Sequence, residues 1–260
     1  MSWKTLEVER QGAVLRVWLN RPERRNALNR LALEEIEDCF TGLQRDFSVR
    51  VLILAGRGKS FCAGADRKDP PGISAGSDRE RRYSSQLGLR ACRAIAALEA
   101  VTLARVHGHA VGGGFALAVA CDFRLASEDT LFSIPEVDLG IPLAWGGIPR
   151  LVREIGPALT KELVLTCRPF DATEAKATGF LNQVVPAAEL EASVLALARS
   201  LTSKASHALF STKRHVNAVT DQMVGTMRSW TDADGLVTAF GDPECAEARR
   251  NYLRKRSAKA

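Results

Sequence analysis

Histidine and cysteine are too sparse and too scattered to build a metal centre. Four histidines and six cysteines occur in 260 residues. Cys39, Cys62, Cys92, Cys121, Cys167 and Cys245 form no CxxC pair, and no histidine stands at ligand spacing from them. Neither a zinc site nor a disulfide framework is expected, and no metal is expected. Buried free thiols are the expected state of most of these residues. No run is apolar for long enough to span a bilayer. The opening stretch MSWKTLEVER has acidic residues early and no apolar segment, so a secretory leader is not expected and the cytoplasm is the expected compartment. Aromatic residues make up only 6% of the chain. No aromatic-interleaved basic segment or zinc-finger pattern supports nucleic acid as a partner. Short-period repeats and low-complexity tracts are also missing.

What is present fits one large globular unit. Apolar residues are 46% and charged residues 25%, ordinary values for a packed domain. The net charge of +6 favours an anionic partner. The basic residues are spread out: Arg21, Arg24 and Arg25, then Arg57, Lys59, Arg67 and Lys68, then Arg79, Arg81 and Arg82, and Arg249 to Lys255 near the end. A solvated surface accounts for most of them, and a small phosphate-bearing ligand would use a few.

Hydrophobic patterning predicts an α/β core. Leu6 and Val8, then Val14, Leu15, Val17 and Leu19 after Gly12, read as two strands. A helix follows, with Leu33, Ile36, Phe40 and Leu43 on its apolar face and Glu34, Glu35, Glu37 and Asp38 expected outside. The runs 49-VRVLILAG-56 and 101-VTLARV-106 suit strands buried on both faces. Between them lie a Pro/Gly loop over 69–78 and a basic helix expected from Arg79 to Ala100. Short strands are expected at 121–126 and 131–134. Pro157 suits the start of a helix, Thr173 the cap of another, and Gly179 its end. The chain from Lys204 reads as two or three helices. The expected organisation is a core over 1–200 and a helical region over 201–260.

Two turns carry the chemistry. Each follows a buried strand, and each is made of Gly and Ala: 63-AGAD-66 and 112-GGG-114. Small residues let a ligand lie against the backbone. Two N–H groups converging on one oxygen form an oxyanion hole, where losing one donor raises the barrier by about 3–4 kcal/mol. Tight turns alone would also explain the glycines.

The two turns together resemble those of the crotonase family, the enoyl-CoA hydratase/isomerase superfamily. Other matching pieces are 20-NRPERRNAL-28, 61-FCAGAD-66, 121-CD-122, 135-PEVDLGIP-142, 146-GGIPRL-151 and 173-TEAKATGFLNQVV-185, in the family's order. The resemblance covers nearly the whole chain to about residue 200 and, more loosely, the tail. It implies a spiral of ββα units with a helical C-terminal region that mediates trimers, often paired into hexamers. It implies an acyl-CoA thioester as ligand, with coenzyme A part of the substrate and no separate cofactor. The thioester oxygen would lie between the N–H groups of Ala65 and Gly113, with Ala63 and Gly112 beside them. Asp66 to Lys68 would wrap the coenzyme, and Lys68 and Arg24 are candidates for its phosphates.

The resemblance also exposes a missing acid. Hydratases of this family carry a glutamate two residues after the glycine triplet, where this chain has Ala116. A second glutamate, in a P-E pair, is present as Glu136. One carboxylate can take an α-proton and return it to another carbon. That chemistry is conversion of 3-enoyl-CoA to 2-enoyl-CoA. Hydration of 2-enoyl-CoA by one carboxylate and a non-catalytic acyl-CoA-binding role are the rivals. Asp138 is expected to face away, and Asp122 to be structural. Trp145 stands where the family usually has a small residue, and would narrow or reshape the acyl pocket. His107 and His109 precede the glycine loop but match no catalytic position. Cys62 has no paired base to activate it.

Overall fold

The computed structural model describes residues 3–72, 76–229 and 231–258. Of the loop expected at 69–78, residues 73–75 lie outside that description. β1 (Leu6–Gln11) and β2 (Val14–Leu19) pair antiparallel about Gly12. β3 (Val51–Gly56) then joins β2 in parallel and is buried along its whole length, as a doubly covered strand should be. β4 (Val101–Val106), β6 (Phe123–Ser127) and β9 (Gln183–Val185) extend the same sheet in parallel, giving the order β1-β2-β3-β4-β6-β9.

A second sheet explains the spiral. β4 continues through Gly108 into β5 (His109–Val111), and β6 continues into β7 (Leu131–Ser133). β5, β7 and β8 (Phe170–Asp171) form the three-stranded sheet. Each turn of the chain therefore lays one strand in the large sheet and one in the small. The turn after β3 repeats this in miniature, because Cys62 bridges Ala110 beside β5. The expected spiral of ββα units is what the chain forms.

Helices close the layers. α1 (Arg30–Leu43) starts at Asn29, whose side chain accepts from the Ala32 N–H at 2.9 Å. Its apolar face is as expected, but Glu35 is buried rather than exposed. Its carboxylate accepts from the N–H groups of Lys4 and Thr5 and from the Thr5 hydroxyl, clasping the start of the chain. The single helix expected from Arg79 is two: α2 (Asp78–Ser85) and α3 (Leu87–Ala97). A capping box between Ser77 and Glu80 starts α2. The polar run Ser84-Ser85-Gln86 then separates the exposed α2 from the buried α3.

α4 (Gly113–Val119) is buried from its second residue. α5 (Gly147–Thr166) breaks at Gly156, where φ is 76°, and Pro157 begins its second half. α6 (Ala172–Ala177) is capped by Asp171, not Thr173; the Asp171 carboxylate accepts from the Glu174 N–H at 2.8 Å. α7 (Leu190–Thr202) packs on the outer face of β3, β4 and β6. α8 (Ser206–Val224), α9 (Asp232–Gly241) and α10 (Pro243–Ser257) form the tail. Lys213 of α8 ties the tail to the core, donating to the Ala100 carbonyl and pairing with Asp122 at 2.7 Å. Asp122 also receives the Thr102 N–H and hydroxyl, the structural part expected of it. Among the described residues, no helix is long and apolar enough to cross a membrane.

Candidate active site

The two small-residue turns are strapped side by side. Cys62 N–H donates to the His109 carbonyl at 3.0 Å, and Val111 N–H donates back to the Cys62 carbonyl at 3.0 Å. Gly64 and Gly114 permit this closeness. A Cβ on Gly64 would fall 2.7 Å from the Val111 carbonyl oxygen, and one on Gly114 would fall 2.6 Å from the Cys62 Cβ. The loop 20–28 grips the first turn from outside. Buried Asn26 donates to the carbonyls of Arg57, Ser60 and Phe61. Arg21 pairs with Asp66 at 2.9 Å. The Leu28 N–H donates to the Gly64 carbonyl at 2.8 Å.

This strapping leaves two amides unused. Among the described residues, the N–H groups of Ala65 and Gly113 have no acceptor, although those of Cys62, Ala63, Asp66 and Gly112 all do. Ala65 is exposed and Gly113 half-buried, while Gly64, Gly112 and Gly114 beside them are buried. Both residues line one cavity of about 770 Å³.

Glu136 enters the same cavity from the turn after β7. Its Oε1 lies where a side chain on Gly112 would be, 2.5 Å from an added Cβ. Gly112 has φ of 50°, so both its backbone and its missing side chain serve this approach. Glu136 Oε2 is sealed from solvent and has no hydrogen-bond partner. Burial pushes the carboxyl up to about 7, with its own N–H offsetting a little. Ala116 lines the cavity too, while Phe115 lies outside its wall, stacked on Phe180 and edge-on to Phe132 and Phe170.

The second carboxylate in the wall is committed elsewhere. Asp66 is buried and accepts from Arg21 and from the N–H groups of Lys68 and Asp69. These bonds outweigh its burial and hold its pKa below the usual value. Asp138 is exposed and lies outside the cavity wall.

Trp145 also lines the cavity. Its φ is 61°, unusual for a bulky residue. The ring fills the space that side chains on Gly88 and Gly113 would need. Buried Arg150 donates to the Trp145 carbonyl at 3.1 Å, and the Gly146 N–H donates to Asp232 of α9 at 2.8 Å, which holds the strained turn.

The remaining candidates separate. Ala63 is half-buried behind the first turn. Arg24 and Lys68 are exposed and outside the wall, whereas Arg67 lines it. His107 and His109 bond the Gly58 carbonyl and Ser60 on the far side of the strap. Burial raises the Cys62 thiol to about 12, which leaves it inert. Arg67 falls in the Asp66 to Lys68 stretch expected on the coenzyme, whereas Gly88 was not singled out from the sequence and Arg249 only as one of the scattered basic residues. Gly88 and Arg249 reach the cavity only through packing of α3 and α10, which no local motif announces.

Comparison with known proteins identifies the family. The family profile described as enoyl-CoA hydratase/isomerase matches residues 9–259. The chain belongs to the enoyl-CoA hydratase/isomerase family. It is 36% identical over 259 residues to a crotonyl-CoA hydratase of Syntrophomonas wolfei, covering 99% of this chain and 98% of that one. It is also 36% identical over 228 residues to the human mitochondrial Delta(3,5)-Delta(2,4)-dienoyl-CoA isomerase, covering 82% of this chain and 68% of that one. An enoyl-CoA hydratase structure from Mycobacterium avium subsp. paratuberculosis K-10 superposes with a TM-score of 0.85 at 27% identity, over 98% of both chains. The chain is therefore an enzyme of the hydratase/isomerase family, and both activities occur among its relatives.

Proposed function

We propose that this enzyme isomerises 3-enoyl-CoA to 2-enoyl-CoA with Glu136 as its only acid/base. The observation that carries the reading is the count of usable carboxylates around the two free amides. Glu136 is unpartnered on Oε2, Asp66 is tied to Arg21, and Ala116 offers none.

The thioester oxygen sits between the N–H groups of Ala65 and Gly113, which form the oxyanion hole. The Glu136 carboxylate removes a proton from C2. The C–H electron pair moves into the C1–C2 bond, and negative charge gathers on the thioester oxygen, where the two amides hold it. The same carboxyl group then returns the proton to C4. The electrons flow back, leaving the double bond between C2 and C3. Nothing is oxidised or reduced. A pKa near 7 suits one group to both steps, because neither protonation state is strongly favoured. Burial keeps water away from the proton while it is held.

One-carboxylate hydration of 2-enoyl-CoA is the second reading, favoured by the likeness to the crotonyl-CoA hydratase. Turnover of trans-3-enoyl-CoA and trans-2-enoyl-CoA by the same preparation separates them. Isomerisation predicts faster consumption of the 3-enoyl thioester. Faster loss of the 2-enoyl thioester to a 3-hydroxyacyl product would assign hydration instead.

Trimeric or hexameric assembly belongs to the same proposal. α8 buries none of its residues, and Val216, Val219 and Met223 on it are exposed. Such apolar residues suit contacts between copies.

A further inference from the structure

The cavity wall carries an arginine from the tail. Arg249 on α10 lines the wall, and its Nη2 is sealed from solvent with no hydrogen-bond partner. Among the described residues no carboxylate pairs with it. The guanidinium lies 4.8 Å from the ring centre of Phe240. The wall around it is otherwise apolar, with Leu236 and Val237 from α9.

Its place in the fold points to the acyl group rather than the coenzyme. The turn that starts at Glu136 closes through the Ile141 N–H, which donates to the Glu136 carbonyl at 3.0 Å. Gly140 in that turn abuts the backbone of Cys245, so closely that a Cβ there would overlap the Cys245 carbonyl. Arg249 lies four residues beyond Cys245, one turn along the same face of α10. It thus stands one helical turn from the residue that abuts the Glu136 turn. The other cavity arginines differ. Arg67 is exposed next to the Ala65 turn, and Arg81 is already paired with Asp78.

A guanidinium nitrogen cut off from both water and a carboxylate is unfavourable until an anion arrives. Its planar fork matches a carboxylate. We propose that Arg249 is a recognition site for a carboxylate at the far end of the acyl group, so that the enzyme takes CoA thioesters of dicarboxylic acids. This rests on the acyl-CoA reading of the site and names its substrate class.

Binding of saturated thioesters tests it separately from turnover, because they cannot be isomerised or hydrated. Calorimetry would compare glutaryl-, adipyl- and suberyl-CoA with valeryl-, hexanoyl- and octanoyl-CoA. The wild-type enzyme is expected to bind at least one carboxylated thioester about tenfold or more tightly than its uncharged counterpart. Arg249→Met is expected to abolish or invert that preference while binding free CoA as before. Arg249→Lys is expected to retain part of it. A wild-type preference for the uncharged thioester at every length overturns the proposal, whatever the variants do. So does a preference that survives in Arg249→Met. Equal weakening of free CoA and all thioesters in Arg249→Met also overturns it, assigning the guanidinium to a coenzyme phosphate.

Discussion

At the Glu136 side chain, one oxygen rests against Gly112 and the other is sealed from solvent without a partner. Burial holds the carboxyl at about 7, whereas an ordinary glutamate sits at 4.5. A base must be ionised, so kcat/KM for the 3-enoyl thioester is expected to rise about tenfold per pH unit below 7 and to level above it. A profile already level at pH 5.5 would contradict the burial argument. Stability carries the same signature. The unfolded chain loses this proton near 4.5 and the folded one near 7. The cost of burial is therefore absent below pH 4.5, grows as pH rises to 7, and is constant above. Glu136→Gln removes an ionisable group there, so it is expected to raise stability at pH 8 by on the order of 3 kcal/mol and to change little at pH 4. Denaturant unfolding at both pH values checks this. Gly112→Ala meets two obstacles, a φ of 50° and contact with Glu136 Oε1 at 2.5 Å. It is expected to lower kcat by about a hundredfold or more, and a variant of normal activity would show that this approach is not used.

At the scale of elements, the positions of the two turns follow from hydrogen bonds that the motif 20-NRPERRNAL-28 encodes only indirectly. The motif was visible in the sequence, but not that Asn26 and Arg21 clamp the Ala65 turn, because those partners lie 30 or more residues away. Both glycine turns were legible as local patterns after strands, and Glu136 was singled out through the family resemblance. The break between α2 and α3 and the burial of Glu35 were not, because only tertiary packing decides them. The α3–Trp145 contact gives a test at this scale. Gly88→Ala would drive a methyl group into the indole. It is expected to shift the acyl-chain preference, as is Trp145→Gly, which keeps a residue tolerant of φ near 61°. Ratios of kcat/KM across chain lengths would show this. An unchanged preference in both variants would mean that the indole does not shape the pocket.

For the whole molecule, the cavity is a joint product of the spiral and the tail. Ala65, Gly113 and Glu136 come from the spiral, and Leu236, Phe240 and Arg249 come from α9 and α10. Hydrophobic patterning predicted the α/β class, but the tail's share in the site rests on long-range packing that periodicity does not encode. The exposed apolar residues of α8 lead to the expectation of three or six copies in solution, checked by light scattering during size-exclusion chromatography. A monodisperse monomer at micromolar concentration would contradict it. The central claim, that one carboxylate performs the reaction, is tested most directly by ultraviolet absorbance after mixing with trans-3-enoyl-CoA. The account predicts a rise from the conjugated 2-enoyl thioester in the wild-type enzyme and its loss in Glu136→Gln. An equal rise in both proteins, or no rise in the wild type, would contradict it.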